Sequence, residues 1–394
     1  MSEIPNRKVL FAGACAAMFV YGVVLAILGA LFGLQEMRER LGVNLVQQGT
    51  IFLTLFFGVL VSTIIAGPVI DSFGNKLVLV SSSTLVAFAL AIFASAHSFQ
   101  AALAAAALLG FGAGGLNTSA NALVADIYPE SRGSMLNIVG VFFGFGALFI
   151  PFLAATLTGR FSSGQLLLIG AAISAACGLA YIAMPFPAPR HSSGYSLLAS
   201  FKAVRFPGVL MFGILLFFES GNESAIGGWT STYIVSLGAK PRTATFILAL
   251  YWLALMLGRV AASKLLDFMS KQRLVLASAI GSVIGCAALV YANSVLTLGV
   301  AAAIIGLSFA AIYPTTLAIV ADRYDRLAGT IFGLLFAIGL SGGMAFPWGV
   351  GSIAQKYGLR SGMILPVIGS LAICALAALI GRSAGAPESP AAQR

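Results

Sequence analysis

The 394-residue chain reads as an all-α membrane protein, with twelve transmembrane helices in two pseudo-symmetric six-helix halves. Three observations predict this class: the composition, a series of twelve apolar runs, and an internal repeat. Hydrophobic residues make up 59% of the chain and charged residues 9%, at a mean hydropathy of +1.00. A soluble domain carries about 25% charged residues, so this chain has too little polar surface to cover itself in water. A span needs about 20 apolar residues, so twelve spans use roughly 240 and leave short loops. A large soluble cofactor-binding domain has no room.

The runs fall near 9–34, 45–70, 77–96, 100–125, 134–158, 164–185, 206–236, 243–265, 274–292, 295–321, 328–352 and 361–381. The first begins at Val9 without a small-residue cleavage pattern, and reads as a retained span rather than a signal peptide. The longest polar break, rich in Pro and Ser, divides the chain into residues 1–186, a linker at 187–205, and residues 206–394.

The net charge of +10 comes from 22 Lys and Arg, and their placement reads as a topology signal rather than a nucleic-acid footprint. Seven (Arg38, Arg40, Arg160, Lys240, Arg242, Lys356 and Arg360) fall on the side away from the N-terminus, and the other 15 on the side that holds it. Positive charge marks the cytoplasmic side. The expectation is a multi-pass protein of the cytoplasmic (inner) membrane with both termini in the cytoplasm, a monomer in the lipid bilayer.

Cys15, Cys177, Cys286 and Cys374 lie far apart inside apolar runs, as small packing residues rather than disulfides or metal ligands. His97 and His191 lie in loops, so no histidine cluster marks a metal site or a proton relay within the spans. Without a nucleophile, acid–base or metal-ligand cluster, the chain reads as a non-enzyme that needs no cofactor beyond a coupling ion.

At an offset of 196 the two halves match. Asp71 falls on Asp267, Gly110 on Gly306, Val124-Ala125-Asp126 on Val320-Ala321-Asp322, and Tyr128 on Tyr324. Gly146 falls on Gly342, Pro151 on Pro347 and Arg160 on Lys356. Glycines could match by chance in such a chain; acids, prolines and cations at one register argue for duplication. Paired six-span halves are the arrangement with which transporters expose a central site alternately to either side.

After the second span comes Gly67-Pro68-Val69-Ile70-Asp71-Ser72-Phe73-Gly74-Asn75-Lys76. It reads as a loop whose acid can sit by a helix N-terminus, with Lys76 meeting a carboxylate or a helix C-terminus. The spacing resembles the signature loop of the major facilitator superfamily, Gly-x-x-x-Asp-x-x-Gly-x-Lys/Arg. A degraded partner runs from Gly258-Arg259 through Asp267 to Arg273. The resemblance covers the whole chain and implies the twelve-helix fold. It assigns conformational roles to Gly67, Asp71, Gly74 and Lys76, with Asp126 and Arg132 at the next turn on the same side.

Of twelve acids, ten lie at span ends, in loops or in tails; Glu219 and Glu223 fall in the middle of span seven. They are one helical turn apart and share a face. A charge there costs about 2.5–3.5 kcal/mol on insertion scales, and no Lys or Arg is read in the middle of any span. Each carboxyl is therefore protonated, hydrogen-bonded by neutral groups, or paired with a mobile cation. Helix glue is the structural alternative. Three glycines and four other polar residues between Phe218 and Trp229 predict a broken helix lining a cavity.

Span four carries Asn117 and Asn121, again on one face, where interhelical hydrogen bonding is the alternative reading. The string Phe218–Trp229, with its acid and later Gly-Trp, resembles span seven of the sugar facilitators around the fucose permease and the sodium-dependent glucose transporters. The ordered set Asn121, Arg132, Leu136-Asn137, Phe145-Gly146-Ala147 resembles the same group. Two departures stand out: span one has no acid, and Asn117 stands where that group carries one in span four. Proton coupling, if present, has moved to Glu219 or Glu223.

Amides and carboxyls among aromatic walls suit a polyol, with bidentate hydrogen bonds to hydroxyls and flat faces against C–H surfaces. The expected solute is small, neutral and polar, a monosaccharide. Its site residues are Asn117, Asn121, Asn137, Asn222, Glu223, Trp229, Trp252 and Tyr313, with Tyr21 and Tyr251 as further walls. Glu219 and Glu223 couple transport to an ion, H+ in preference to Na+. The alternative is proton-coupled export of lipophilic drugs. An anion carrier is disfavoured, since it wants an intramembrane cation.

Overall fold

The computed structural model describes residues 6–187, 207–324 and 328–383, so the expected linker at 187–205 lies outside the described residues apart from Pro187. Fourteen helices run through the described residues, and twelve are long and apolar enough to cross a membrane. In chain order they are α1 (Arg7–Leu31), α2 (Gln35–Leu41), α3 (Leu45–Phe73), α4 (Asn75–Ser95), α5 (Phe99–Ile127), α6 (Arg132–Leu157) and α7 (Ser163–Ala183) in the first half. In the second half follow α8 (Pro207–Ser236), α9 (Pro241–Leu265), α10 (Lys271–Tyr291), α11 (Val295–Arg323), α12 (Ala328–Tyr357), α13 (Leu359–Gly362) and α14 (Ile364–Ser383). Each apolar run of the sequence became a span. The even number places Arg7 and Ser383 at one end of the bundle, the terminal end; the other is the distal end.

The repeat is exact in the helix starts: α3, α4, α5, α6 and α7 begin 196 residues before α9, α10, α11, α12 and α13. It is also visible in the packing. A Cβ on Gly110 would collide with the Leu55 carbonyl, and one on the equivalent Gly306 with the Tyr251 carbonyl, itself the repeat partner of Leu55. Gly146 against Phe19 and Gly342 against Phe217 make the second such pair. Without a hydrophobic drive between helices in lipid, close backbone approach at small residues holds spans together. The glycines that chance might have supplied are therefore the crossing points of each half.

Three sequence expectations need correction. The first run, read to 34, ends as a helix at Leu31, and a short amphipathic helix, α2, follows it. Glu36 of α2 accepts hydrogen bonds from the Ser163 N–H and hydroxyl, both at 3.1 Å, at the start of α7. Arg40 donates to the Ala94 carbonyl at 2.6 Å at the end of α4. An anion at a helix start and a cation at a helix end both complement the helix dipole. Burial lowers the pKa of Arg40 from its ordinary value, and the nearby Glu36 counters this.

Second, Gly67–Phe73 is not loop but the last turns of α3, which carries Pro68 inside it. The reversal is concentrated at Gly74, whose φ of +84° places it where a side chain would be strained. Third, α8 is continuous across Phe218–Trp229 rather than broken. Its glycines serve packing. A Cβ on Gly227 would stand 3.0 Å from the Trp252 ring, and one on Gly228 3.0 Å from Phe52.

The halves meet along α3 with α12, α6 with α9, and α1 with α8; the first two seams are related by the repeat. At the distal end the contact is tight. Leu45 N–H donates to Gln355 Oε1 at 3.0 Å, and Gln48 Nε2 to Thr232 Oγ1 at 3.2 Å in a buried pair. Gly29 packs directly on Gly227. Toward the terminal end, Asn137 and Arg132 of α6 are exposed. This positions any central site below a closed distal seam.

Candidate functional site

Glu219 lies about 18 Å and Glu223 about 24 Å along the 30-residue α8, so the pair brackets its middle. Glu219 is 1% exposed and its Oε1 has no hydrogen-bond partner. Glu223 is half-buried one turn further on. The two carboxyls lie within electrostatic range of each other and of Tyr251 and Tyr313, and Glu223 also of Tyr21. Tyr21 belongs to the other half. The pair therefore faces the seam between halves rather than the lipid.

Arg259 is the residue the sequence reading missed. It sits six residues inside α9, was counted with the terminal-side cations, and instead turns inward. Its guanidinium carbon lies 5.4 Å from the centroid of the Phe143 ring on α6. Its Nε is buried without a partner, and both glutamates lie within its electrostatic range. The expectation of no compensating cation within the spans is therefore overturned, and with it the argument that disfavoured an anionic solute. A long cationic stem lets a residue near a span end reach inward as readily as outward, so chain position alone does not decide. Its place about a turn and a half inside the span, rather than in the following loop, was the available signal.

Aromatic side chains close round this cluster. Phe143 stands edge-on to Trp252 at 6.1 Å and tilted against Tyr21 at 5.5 Å, and Tyr251 contacts Trp252 at 5.0 Å. Tyr313 stacks on Phe336 at 6.2 Å. The Tyr251 hydroxyl and Trp252 Nε1 are both buried and both without partners. A buried unpaired donor costs about 1–3 kcal/mol, so a set of such atoms in one place marks a site shaped for a polar occupant.

The other sequence candidates divide. Asn121 Nδ2 donates to Asn117 Oδ1 at 3.0 Å and to the Asn117 carbonyl at 2.8 Å, and approaches Met18 Sδ at 4.0 Å. This places the amide pair against α1, one turn from Tyr21. Asn222 does not face the seam: it is fully buried and donates to Ser370 on α14 at 3.1 Å. Trp229 is buried too, donating to the Pro347 carbonyl at 3.0 Å and packing on Phe52 at 6.2 Å. Both are held within helix packing because their N–H groups meet acceptors on neighbouring spans. Asn137 is exposed on α6, one turn toward the terminal end from Gly140, which lies beside the Arg259 guanidinium.

At the terminal end, Lys76 Nζ donates to the Met184 carbonyl at 3.2 Å, at the end of α7. That is the helix C-terminus expected of it. Asp322, the repeat partner of Asp126, pairs with Lys271 at the start of α10.

A family model described as the major facilitator superfamily matches residues 14–347 and 212–393. The chain belongs to the major facilitator superfamily. This facilitator is 23% identical over 381 residues to the sodium-dependent glucose transporter 1A of Mus musculus, covering 87% of this chain and 89% of that one. It is 28% identical over 193 residues to the major facilitator superfamily domain-containing protein 4A of Danio rerio, a match that spans 45% of this chain but only 36% of that protein. The crystal structure of the nucleoside transporter NupG superposes with a TM-score of 0.77 at 15% identity, covering 97% of this chain and 99% of that one. At that identity the likeness concerns the fold.

Proposed function

We propose that this facilitator is a secondary transporter that carries a small polar solute of the monosaccharide class across the cytoplasmic membrane by alternating access. The carrying observation is the mid-span cluster of Glu219, Glu223 and Arg259 at the seam of the two halves, with Tyr21, Tyr313, Tyr251 and Trp252 around it. Hydroxyl groups of a sugar can both donate to the carboxyls and accept from the tyrosine and indole donors. Asn117 and Asn121 extend that polar wall into the first half. The likeness to a protein named as a glucose transporter supports the same substrate class.

Glu219 and Glu223 carry the coupling. A carboxyl in a dry site can take a proton on one side of the membrane and release it on the other. Sodium is the rival, since carboxylate and amide oxygens also coordinate it. With both termini in the cytoplasm, as the bias of Lys and Arg supports, the tight distal seam faces outward and the present arrangement is inward-facing. The two halves rock about the seam to expose the site to the other side.

The test is uptake into proteoliposomes under an imposed proton or sodium gradient. Wild type accumulates sugar against its gradient, while Glu219→Gln and Glu223→Gln retain exchange but lose accumulation. Full gradient-driven accumulation in both variants would remove the coupling role.

A further inference from the structure

The unpartnered donors of the site are not spread evenly. Tyr251, Trp252 and Arg259 all belong to α9; Trp252 and Arg259 both contact Phe143 of the opposite half, and Tyr251 packs on Trp252. Spacings of eight and seven residues place Tyr251 and Trp252 near the face that carries Arg259. The indole N–H and the tyrosine hydroxyl are buried, 3% and 0% exposed, and like the Arg259 Nε–H they have no acceptor. Over about two turns of α9 the wall offers three donors, one of them cationic. On the neighbouring α8 the mid-helix carboxyl presents an atom of the opposite kind, the unpartnered acceptor Glu219 Oε1.

A neutral hexose could meet both walls, but it would leave the fixed positive charge of Arg259 without an anionic complement from the ligand. A carboxylate answers all of α9 at once. It has two oxygens and about four acceptor positions, and a guanidinium fork matches it with charge-assisted bonds of about twice neutral strength. The hydroxyls on the rest of such a molecule would then donate to Glu219 and Glu223 and accept from the amide pair Asn117 and Asn121.

We infer that the preferred solute is a sugar acid, a polyhydroxylated monocarboxylate whose carboxylate is received by Arg259, Trp252 and Tyr251. This rests on the polyol reading above and narrows it. Arg259 then acts as a specificity-determining residue, with Phe143 beneath its guanidinium and its buried Nε–H left without a protein partner. The absence of a lysine fits the same reading, since an ammonium is a point charge that cannot match a carboxylate edge to edge.

The experiment measures ligand binding to the purified full-length protein by thermal shift and by displacement. The probes are D-glucuronate, D-galacturonate and D-gluconate against D-glucose, D-galactose and the methyl ester of D-glucuronate. At least one acid should bind ten-fold or more tighter than its neutral counterpart and ester. Arg259→Gln should erase that preference, with the size-exclusion profile and the melting temperature of the ligand-free variant reporting that it is folded. Trp252→Phe, which removes the N–H and keeps an aromatic ring, should weaken the acid several-fold more than the neutral sugar, and serves if Arg259→Gln does not fold. Acids that bind no tighter than neutral sugars, or a preference that survives in Arg259→Gln, would overturn the inference while the polyol reading stands. If neither acids nor neutral sugars bind, both fall.

Discussion

The guanidinium of Arg259 lies over the ring of Phe143, 5.4 Å from its centroid, and joins the two halves of the protein across their seam. The relationship matters because the proposed cycle separates the halves here, and because both glutamates lie within range of the same charge. A desolvated cation–π contact is worth up to about 2 kcal/mol. Phe143→Leu should therefore leave folding intact but shift the balance between conformations. The expected outcome is a several-fold fall in the maximal exchange rate in proteoliposomes, with Phe143→Tyr close to wild type. Equal rates in the leucine variant would remove Phe143 from the cycle.

Asparagines predicted as equivalent should separate by experiment. Asn222 is bound to Ser370 in helix packing, whereas Asn117 and Asn121 form a pair beside α1. An interhelical hydrogen bond in a membrane contributes about 0.6–1.7 kcal/mol. Asn222→Ala should lower the melting temperature with little change in the apparent KM. Asn117→Ala and Asn121→Ala should raise the KM five-fold or more at nearly unchanged stability. The opposite pattern would return Asn222 to the binding site.

The distal seam should lock when covalently tied. Gln48 and Thr232 are hydrogen-bonded at 3.2 Å across the halves. In a background with the four native cysteines replaced by serine or alanine, the pair Gln48→Cys and Thr232→Cys should cross-link on oxidation. Transport should stop and return on reduction. Transport that continues in the fully cross-linked protein would show that this end does not open.

The repeat glycines make a stability prediction. Gly110→Val and Gly306→Val each push a side chain into a carbonyl of a neighbouring span. Overpacking in a tight core costs about 1–3 kcal/mol or more. Both variants should show reduced yield and a lowered melting temperature, whereas Gly67→Val, with nothing within 4 Å of its Cβ position, should not.

Arg40 offers a test at the helix ends. Removing its hydrogen bonds to the Ala94 and Phe93 carbonyls in Arg40→Ala should cost about 1–3 kcal/mol, the range for bonds to a charged group. The lowered melting temperature should appear without a change in substrate preference. An unchanged melting temperature would make α2 an ornament rather than a clasp.

How much of this was legible beforehand follows from the physics of each feature. Every span could be read, because a bilayer demands a run of apolar residues whatever the partners are, and the 196-residue offset carried over to the helix starts. Glu219 and Glu223 were visible because charge in the middle of a run is costly regardless of context. The glycines and amides were harder. In lipid the same residue type serves packing or recognition, and the difference lies in which neighbour it meets. Asn222 and Trp229 met partners on α14 and α12; Tyr251 and Trp252 offered donors that nothing took.

Span number, the two-fold duplication, the signature turn and the mid-span acids were thus determined by the sequence itself, since they follow from local hydropathy, register and the cost of charge. Which end of the bundle is closed, whether α8 breaks, and above all where Arg259 points were decided only by the tertiary structure. A side chain with a long flexible stem can carry its charge out to the interface or into the seam. Only the ring of Phe143, brought there by a helix of the other half, selects the second.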